Sequence, residues 1–490
     1  MLLSETPIDG NLQAVDDESS ISLTGVFVVL LIFLLAVIPI LIGAPDSEAL
    51  RYELQLALFV LFLFTLLARP RSVLMLLLVV FVYFPVLGFL VPPRKAGISF
   101  LLIALIIIAF VAARKNRSAG HLRITNISHR PLWRSYALWL GGWFIIGFAG
   151  VDVLNSAYQV ALVTLFLALT AQAFVQARAF GMTPDQLWRG IKAAIWISAA
   201  FALIQIVLGL DYTLFPSLNR NVLFSAESGG MRYPGPFRDA QAFSQFLSVS
   251  LSFCLLYKPS KIDIGQIVLG SACFILLMIN GSRMAPFGAL VGIFVAGLIT
   301  PGSRTKVALR LALLAAFILF LSLFVDLDKL AFLSRLLFAQ KAASFRIGLW
   351  IKSFAIFRAY PWTGVGYENF SKVVLSFIQG GFWTTNQGVT VYNHPESGYL
   401  KILCETGIIG FLLFTFFVVT ILIQYWRVLR SLKFDVPTKT LCVAGFAAYL
   451  SLLASQITVY SLDDPRILFL FGFLSVLPFL YSEEISPKNI

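Results

Sequence analysis

Residues 21–43, ISLTGVFVVLLIFLLAVIPILIG, carry no charge, and apolar runs of this kind recur along the whole chain. An α-helix needs ~20 such residues to cross the hydrocarbon core of a bilayer. Backbone groups in lipid must be satisfied within the chain, which makes each long run a helix. The runs are continuous and do not alternate, which argues against a β-barrel. About fourteen candidates start near 22, 54, 72, 97, 135, 157, 191, 239, 264, 285, 307, 397, 441 and 467. Several are short, so about 12–14 spans are expected. At 59% hydrophobic and 12% charged over 490 residues, the chain has too much apolar surface for a soluble core. The fold class is all-α, a polytopic integral membrane protein.

The N-terminal stretch MLLSETPIDGNLQAVDDESS is polar and acidic, without the basic region of a signal peptide. Cys254, Cys273, Cys404 and Cys442 lie in apolar runs without a C-x-x-C pair, so neither a disulfide framework nor a thiolate metal site is expected. The most basic short loop, 114–134, belongs in the cytoplasm by the positive-inside rule. Alternation then puts 69–72, 257–263, 301–306, 426–439 and both termini inside, and the acidic loops 44–53 and 461–466 outside. Two longer stretches, 211–238 and 326–396, fall outside as well. Long ordered loops are usually functional. The chain divides into a cytoplasmic tail 1–21, membrane helices 22–231, a central region 232–414 with the large loop 326–396, and C-terminal helices with a short tail, 415–490.

Outer loops should be poor in cations, yet these carry Arg220, Arg232, Arg238, Lys329, Arg335, Lys341, Arg346, Lys352, Arg358 and Lys372, with Arg283 between two spans on the same side. Lysines there suit a solvated surface. Arg232, Arg238 and Arg283 stand at helix ends, where charge is costly and marks function. Guanidinium matches phosphate oxygens in a bidentate fork, so converging arginines suit a lipid-linked diphosphate. Arg346 begins an amphipathic segment and either joins them or snorkels to the interface. The sequence has no phosphate-binding G-x-x-x-x-G-K-[ST] loop, no H-E-x-x-H and no clear acidic cluster for Mg²⁺. The outer face lacks ATP, so chemistry there needs a donor with its leaving group built in.

The stretch VYNHPESGYLKILCETGIIGFLLF, 391–414, sets ionisable groups at the mouth of a span. His394 can move a proton near neutral pH; otherwise it only caps the loop. Glu396 is an alternative base or a carboxylate favoured by the helix dipole. Glu405 lies within the apolar run and is expected to face the bundle in a buried pair, with an arginine as a conceivable partner. Gly407 and Gly410 suit close helix packing. Tyr367 and Trp362 are candidates for stacking on sugar rings, against the ordinary role of interfacial aromatics.

Four stretches, in order, resemble the O-antigen ligase and O-antigen polymerase superfamily of bacterial envelope glycan enzymes. RYPGPFRDAQAFSQFL (232–247) resembles its R-x-x-G-x-F-x-D-P-N segment, and GSRMAPFGALVG (281–292) its S-R segment. FRIGLWIKSFAIFRAYPWTGVGYENF (345–370) resembles R-x-x-x-W with P-x-x-G-x-G-x-x-N-F, and 391–414 resembles H-N-x-x-L-x-x-x-x-E-x-G-x-x-G. Asp239-Ala240-Gln241 replaces D-P-N, and aligning on Tyr399-Leu400 puts Glu396-Ser397 where His-Asn would stand. Both His394 and Glu396 therefore stay candidates for the catalytic position.

The resemblance implies an inner-membrane, multi-pass enzyme with a periplasmic site. It would transfer an undecaprenyl-diphosphate-linked glycan to an acceptor hydroxyl on a glycan or lipid-linked acceptor. Arg232, Arg283, Arg346 and Arg238 would hold the diphosphate, with Glu405 and Tyr399 supporting the catalytic residues from behind. No metal, cofactor or nucleic acid is implied. The bilayer is a partner, and a chain-length regulator and flippase are possible others. The altered H-N pair favours a polymerase of O-antigen or exopolysaccharide. The alternatives are ligation onto lipid A-core and, in another class, a polysaccharide transporter or flippase.

Overall fold

The computed structural model describes residue 80 and residues 100–118, 130–179, 181–209, 232–237, 239–257, 264–280, 282, 284–299, 339–377, 384–385, 388–389, 395–431 and 435–481. The expected spans starting near 22, 54 and 307 lie outside them, as does most of the one starting near 72. All described residues belong to the compact unit Arg69–Ile490.

The architecture is helical, as expected. The helices are α1 Phe100–Ser118, α2 Arg130–Gly147, α3 Val153–Ala179, α4 Pro184–Leu208, α5 Ala240–Leu256, α6 Ile264–Asn280, α7 Met284–Ile299, α8 Ala339–Ala359, α9 Phe370–Val373, α10 Gly398–Arg430, α11 Val436–Ser455 and α12 Pro465–Leu480. A 3₁₀ turn, Val374–Phe377, follows α9. The strands among the described residues are a two-residue antiparallel pair, β1 Thr384–Thr385 and β2 Gly388–Val389. The loop expected over 326–396 thus contains α8, α9 and this hairpin. Val153–Ala179, Pro184–Val207, Gly398–Arg430 and Val436–Ser455 are long and apolar enough to cross a membrane, and several shorter helices are apolar throughout.

Starts are marked locally. Thr183 caps α4 in a reciprocal capping box with Gln186, followed by Pro184 at the first helical position. Asp435 and Asp464 cap α11 and α12 by accepting from Thr438 N and Arg466 N, each with a proline inside the first turn.

Helices in lipid associate by packing, because lipid tails are as apolar as leucine. The stretch Gly288-Ala289-Leu290-Val291-Gly292 lets α7 lie against α11. A Cβ at Gly292 would stand 2.2 Å from the Ala447 carbonyl oxygen, and one at Gly288 would stand 2.7 Å from that of Ser451. Helix α5 is buried on every side, between α6, α7 and α11. Its Ser244, Ser250 and Ser252 donate to carbonyls one turn back in their own helix, and Ser248 meets Ser451 of α11 at 3.0 Å. An aromatic cluster of Trp139, Trp143, Phe414, Phe417 and Phe471 joins α2, α10 and α12.

Contacts sort the helix ends into two groups. At one end, Tyr257 donates to Asp185, and the Arg178 guanidinium lies 4.7 Å from the ring centre of Tyr481. At the other, the 148–152 turn, the 232–237 loop, the end of α6, the 360–369 turn and the starts of α10 and α12 touch one another. The alternation read from the charges assigns each of these segments to those same two groups.

Candidate functional site

The second end gathers the ionisable residues. Arg232 is only 4% exposed, and its Nε donates to the carbonyl of Asn280, the last residue of α6, at 3.1 Å. The Asn280 side chain accepts from Tyr233 N at 2.7 Å. Two further residues fix this loop. The Gln205 amide accepts from Gly235 N at 2.8 Å and donates to its carbonyl at 2.9 Å. Arg466, 1% exposed, donates to the Pro236 carbonyl, stands over the Phe237 ring and is forked to Asp464 at 2.6 and 2.8 Å. The chain therefore invests three helices in holding six residues.

Burial works against the charge of Arg232. Asp239 and Glu396 offset that cost, and Arg346 adds to it. Guanidinium stays protonated in proteins, so the outcome is a buried cation with two anionic neighbours. Arg346, on α8, is the closer partner of Glu396, with NH2 3.7 Å from Oε2. Arg232, Arg346 and Glu396, each from a different one of the four sequence stretches, thus share one electrostatic environment.

Glu396 stands immediately before Ser397, the N-cap of α10, whose Oγ accepts from Leu400 N. Gly398 N donates to the Gln456 carbonyl at 2.8 Å, which docks this helix start on the end of α11. Glu396 has φ +54°; Glu368 and Glu396 are the positive-φ residues other than glycine among the described residues. Such a conformation costs about 1–3 kcal/mol and persists only where surroundings impose it. Both glutamates lie at this end of the bundle.

Helix α10 is broken near its start. Gly407 has φ +63° and ψ −171°, outside any helix. The turn at 361–366 fills the gap. Val365 N and Gly366 N donate to the carbonyls of Cys404 and Glu405, and Ile408 N and Ile409 N donate to those of Pro361 and Trp362. The expectation that Gly407 serves helix packing is corrected: it opens the break, and its missing side chain admits the Trp362 backbone. Gly410 keeps a packing role beside Trp143, whose indole N–H donates to the Gly410 carbonyl at 3.0 Å. The turn is anchored behind by Asn369, fully buried, whose Nδ2 lies 3.0–3.1 Å from Ser156 Oγ and the carbonyls of Asp152 and Val365.

Glu405 is completely buried and accepts from Phe370 N at 3.1 Å. Its cationic neighbour is a lysine and not an arginine: Lys401, one turn back, with Nζ 3.9 Å away. Lys401 escaped the sequence reading. The signal was available, since a lysine four residues from a glutamate inside an apolar run needs a buried partner. Tyr399 points elsewhere, its hydroxyl donating to the Leu453 carbonyl of α11 at 2.8 Å. Tyr367 is 4% exposed, packed at a tilt against Trp143 and bonded to Tyr460, so it has no face for a sugar; Trp362 is 68% exposed. Arg238, Arg283 and His394 lie outside the described residues.

An all-helical, polytopic membrane protein with a cationic, partly buried site at one end of its bundle is the class that fold and site define. Residues 268–415 match the model of a family described as O-Antigen ligase. The matched segment runs from within α6 to beyond the break in α10. It takes in Arg283, Arg346, His394, Glu396, Lys401 and Glu405, and stops short of Arg232. The match covers less than a third of the chain and supports a likeness of this region to the O-antigen ligase and polymerase superfamily. A family of that description suggests a membrane glycosyltransferase-like enzyme with lipid-linked glycan substrates. A comparison with curated proteins gives no match.

Proposed function

We propose that the protein transfers a glycan from undecaprenyl diphosphate to an acceptor hydroxyl at the periplasmic face of the inner membrane, acting as a polymerase of O-antigen or exopolysaccharide. The observation that carries this reading is the approach of Arg232 and Arg346 to Glu396 at the mouth of α10. The acceptor oxygen attacks the anomeric carbon, the bond from that carbon to the diphosphate breaks, and the electron pair leaves with the diphosphate. Arg232 and Arg346, with Arg283 and Arg238, neutralise the departing charge. A guanidinium has five donors in a fixed fork, so Arg346 can hold Glu396 and a phosphoryl oxygen together. His394 takes the hydroxyl proton, and Glu396, already engaged by Arg346, orients it or the acceptor.

A transporter would line a path near the midplane with polar groups. The serines of α5, a helix buried within the described bundle, instead bond to their own helix or to Ser451. Reconstitution in vesicles with a lipid-linked glycan donor tests the reading. Arg232→Lys and Arg346→Lys keep the charge and lose the fork. Each should lower product formation about 10²–10³-fold, the usual effect of removing one preorganised donor. Normal product from the double variant at normal abundance would discard the diphosphate site. Products forming a ladder on the lipid carrier support polymerase; transfer only onto lipid A-core supports ligase.

A further inference from the structure

The proposed chemistry makes no use of Lys401, yet charged and aromatic groups from three segments enclose its side chain. It is 2% exposed. Its Nζ lies 2.6 Å from Glu368 Oε1 and 3.9 Å from Glu405 Oε1, and stands over the Tyr460 ring at 4.0 Å and the Tyr367 ring at 5.8 Å. Asp463 acts on it electrostatically as well. The two tyrosine hydroxyls meet at 2.9 Å, and Tyr460 donates on to Glu368 Oε1 at 3.3 Å. Three segments converge on one ammonium: the half of α10 before its break, the 360–369 turn that fills the break, and the 456–464 lead-in to α12. A buried cation that satisfies two carboxylates and two ring faces holds such segments in a single arrangement, since each would be left with an uncompensated charge without it.

Lys401 stands one turn after Ser397, and its own N–H donates to the Ser397 carbonyl at 3.0 Å. The short half-helix 398–406 thus runs rigidly from Glu396 at the site to Glu405 at the break. Its orientation is not set by the long half of α10, because Gly407 uncouples the two. We infer that Lys401 is a positioning residue: by locking the half-helix 398–406 to the 360–369 turn, it sets where Glu396 stands relative to Arg346. Only the kinetic consequence rests on the glycosyl-transfer reading; the lock itself is independent of it.

The chain supplies its own reporters. Cys404 lies on the half-helix, fully buried, with Sγ donating to the Ser353 carbonyl at 3.1 Å. Cys254, Cys273 and Cys442 are buried in α5, α6 and α11, away from the lock. Labelling by N-ethylmaleimide, followed peptide by peptide by mass spectrometry, should find Cys404 of Lys401→Met reacting on the order of tenfold faster than in the parent, as local opening predicts. The other three should keep the parent's rates. In vesicles with the lipid-linked donor, kcat should fall about tenfold to a hundredfold, the scale of a small misplacement. KM for the donor should hold, because Arg232 is fixed by Asn280 and not by α10. Unchanged protection of Cys404 overturns the proposal. So does simultaneous exposure of all four cysteines, which would make Lys401 a residue of the whole fold. If Lys401→Met does not accumulate, Glu368→Gln, which removes one side of the ion pair, is read by the same criteria. A parent that transfers no glycan, while Cys404 still responds selectively, sinks the functional reading and leaves the lock standing.

Discussion

Arg346 and Glu396 belong to segments separated by the 360–369 turn, α9, a 3₁₀ turn and a hairpin, and they meet with 3.7 Å between guanidinium and carboxylate. Their side chains are 28% and 17% exposed, so the pair is reachable from outside yet poorly screened. That combination suits a group that must both recognise an anion and take part in a reaction.

The identity of the base separates two variants. General-base assistance is worth about 10²–10⁴-fold. His394→Ala is expected to lower turnover by that much while donor binding persists, and Glu396→Gln by less. Near-normal turnover in His394→Ala alongside a dead Glu396→Gln would reverse the roles. Activity in both would leave catalysis to the arginines.

Gly407→Ala forces a side chain into a backbone region that only glycine occupies freely, 2.2 Å from the Trp362 carbonyl oxygen. The expected loss is about 3 kcal/mol or more. Gly141→Ala, with nothing within 4 Å of its new methyl, should be neutral or slightly stabilising. Thermal unfolding in detergent compares the two. Equal Tm values would mean that the break in α10 is not needed for stability.

Cysteines placed at Ser344 in α8 and at Ser118 at the end of α1 should react with impermeant reagent from opposite sides of the membrane. The first is expected to label from outside. Labelling of both from one side would dismantle the assigned topology.

Lys372 bonds to Asp152 at 2.5 Å and holds its carboxyl below the usual range, helped by the Asn155 backbone N–H. A depressed folded value stabilises above the unfolded value of about 3.9. That contribution is lost as pH falls through the folded value. Asp152→Asn should thus show a small Tm deficit at neutral pH, reduced by salt and absent in strong acid. Both side chains are more than a third exposed, which keeps the effect small. A deficit unchanged in acid would assign it to something other than the charge.

The helical class was readable, and so were the approximate helix starts among the described residues, because continuous apolar runs have one solution in lipid. Of the arginines read at helix ends, Arg232 falls among the described residues, buried and bonded to the end of α6. What escaped was set by contacts distant in sequence. Glycine spacing at Gly407 and Gly410 looks like a packing seam, and only the Pro361–Gly366 turn threaded into it reveals a break. Tyr367 looked available for a sugar until Trp143 and Tyr460 closed over it. Arg466 was hidden in a loop read as acidic, where Asp464 masked its role of holding the Pro236 carbonyl.

The plug in α10 also bears on the order of assembly. A chain emerges from the ribosome N-terminus first, so the Pro361–Gly366 turn is made before the gap it fills. When residues 404–409 are made, the backbone groups of the turn that will satisfy their exposed N–H and C=O already exist. The partners that fix the start of α10, Gln456 and Tyr460, arrive only with the last two helices. The site is therefore scaffolded early and fastened last, and a nascent chain truncated before α11 would carry Arg232, Arg346 and Glu396 without the partners that fix the start of α10.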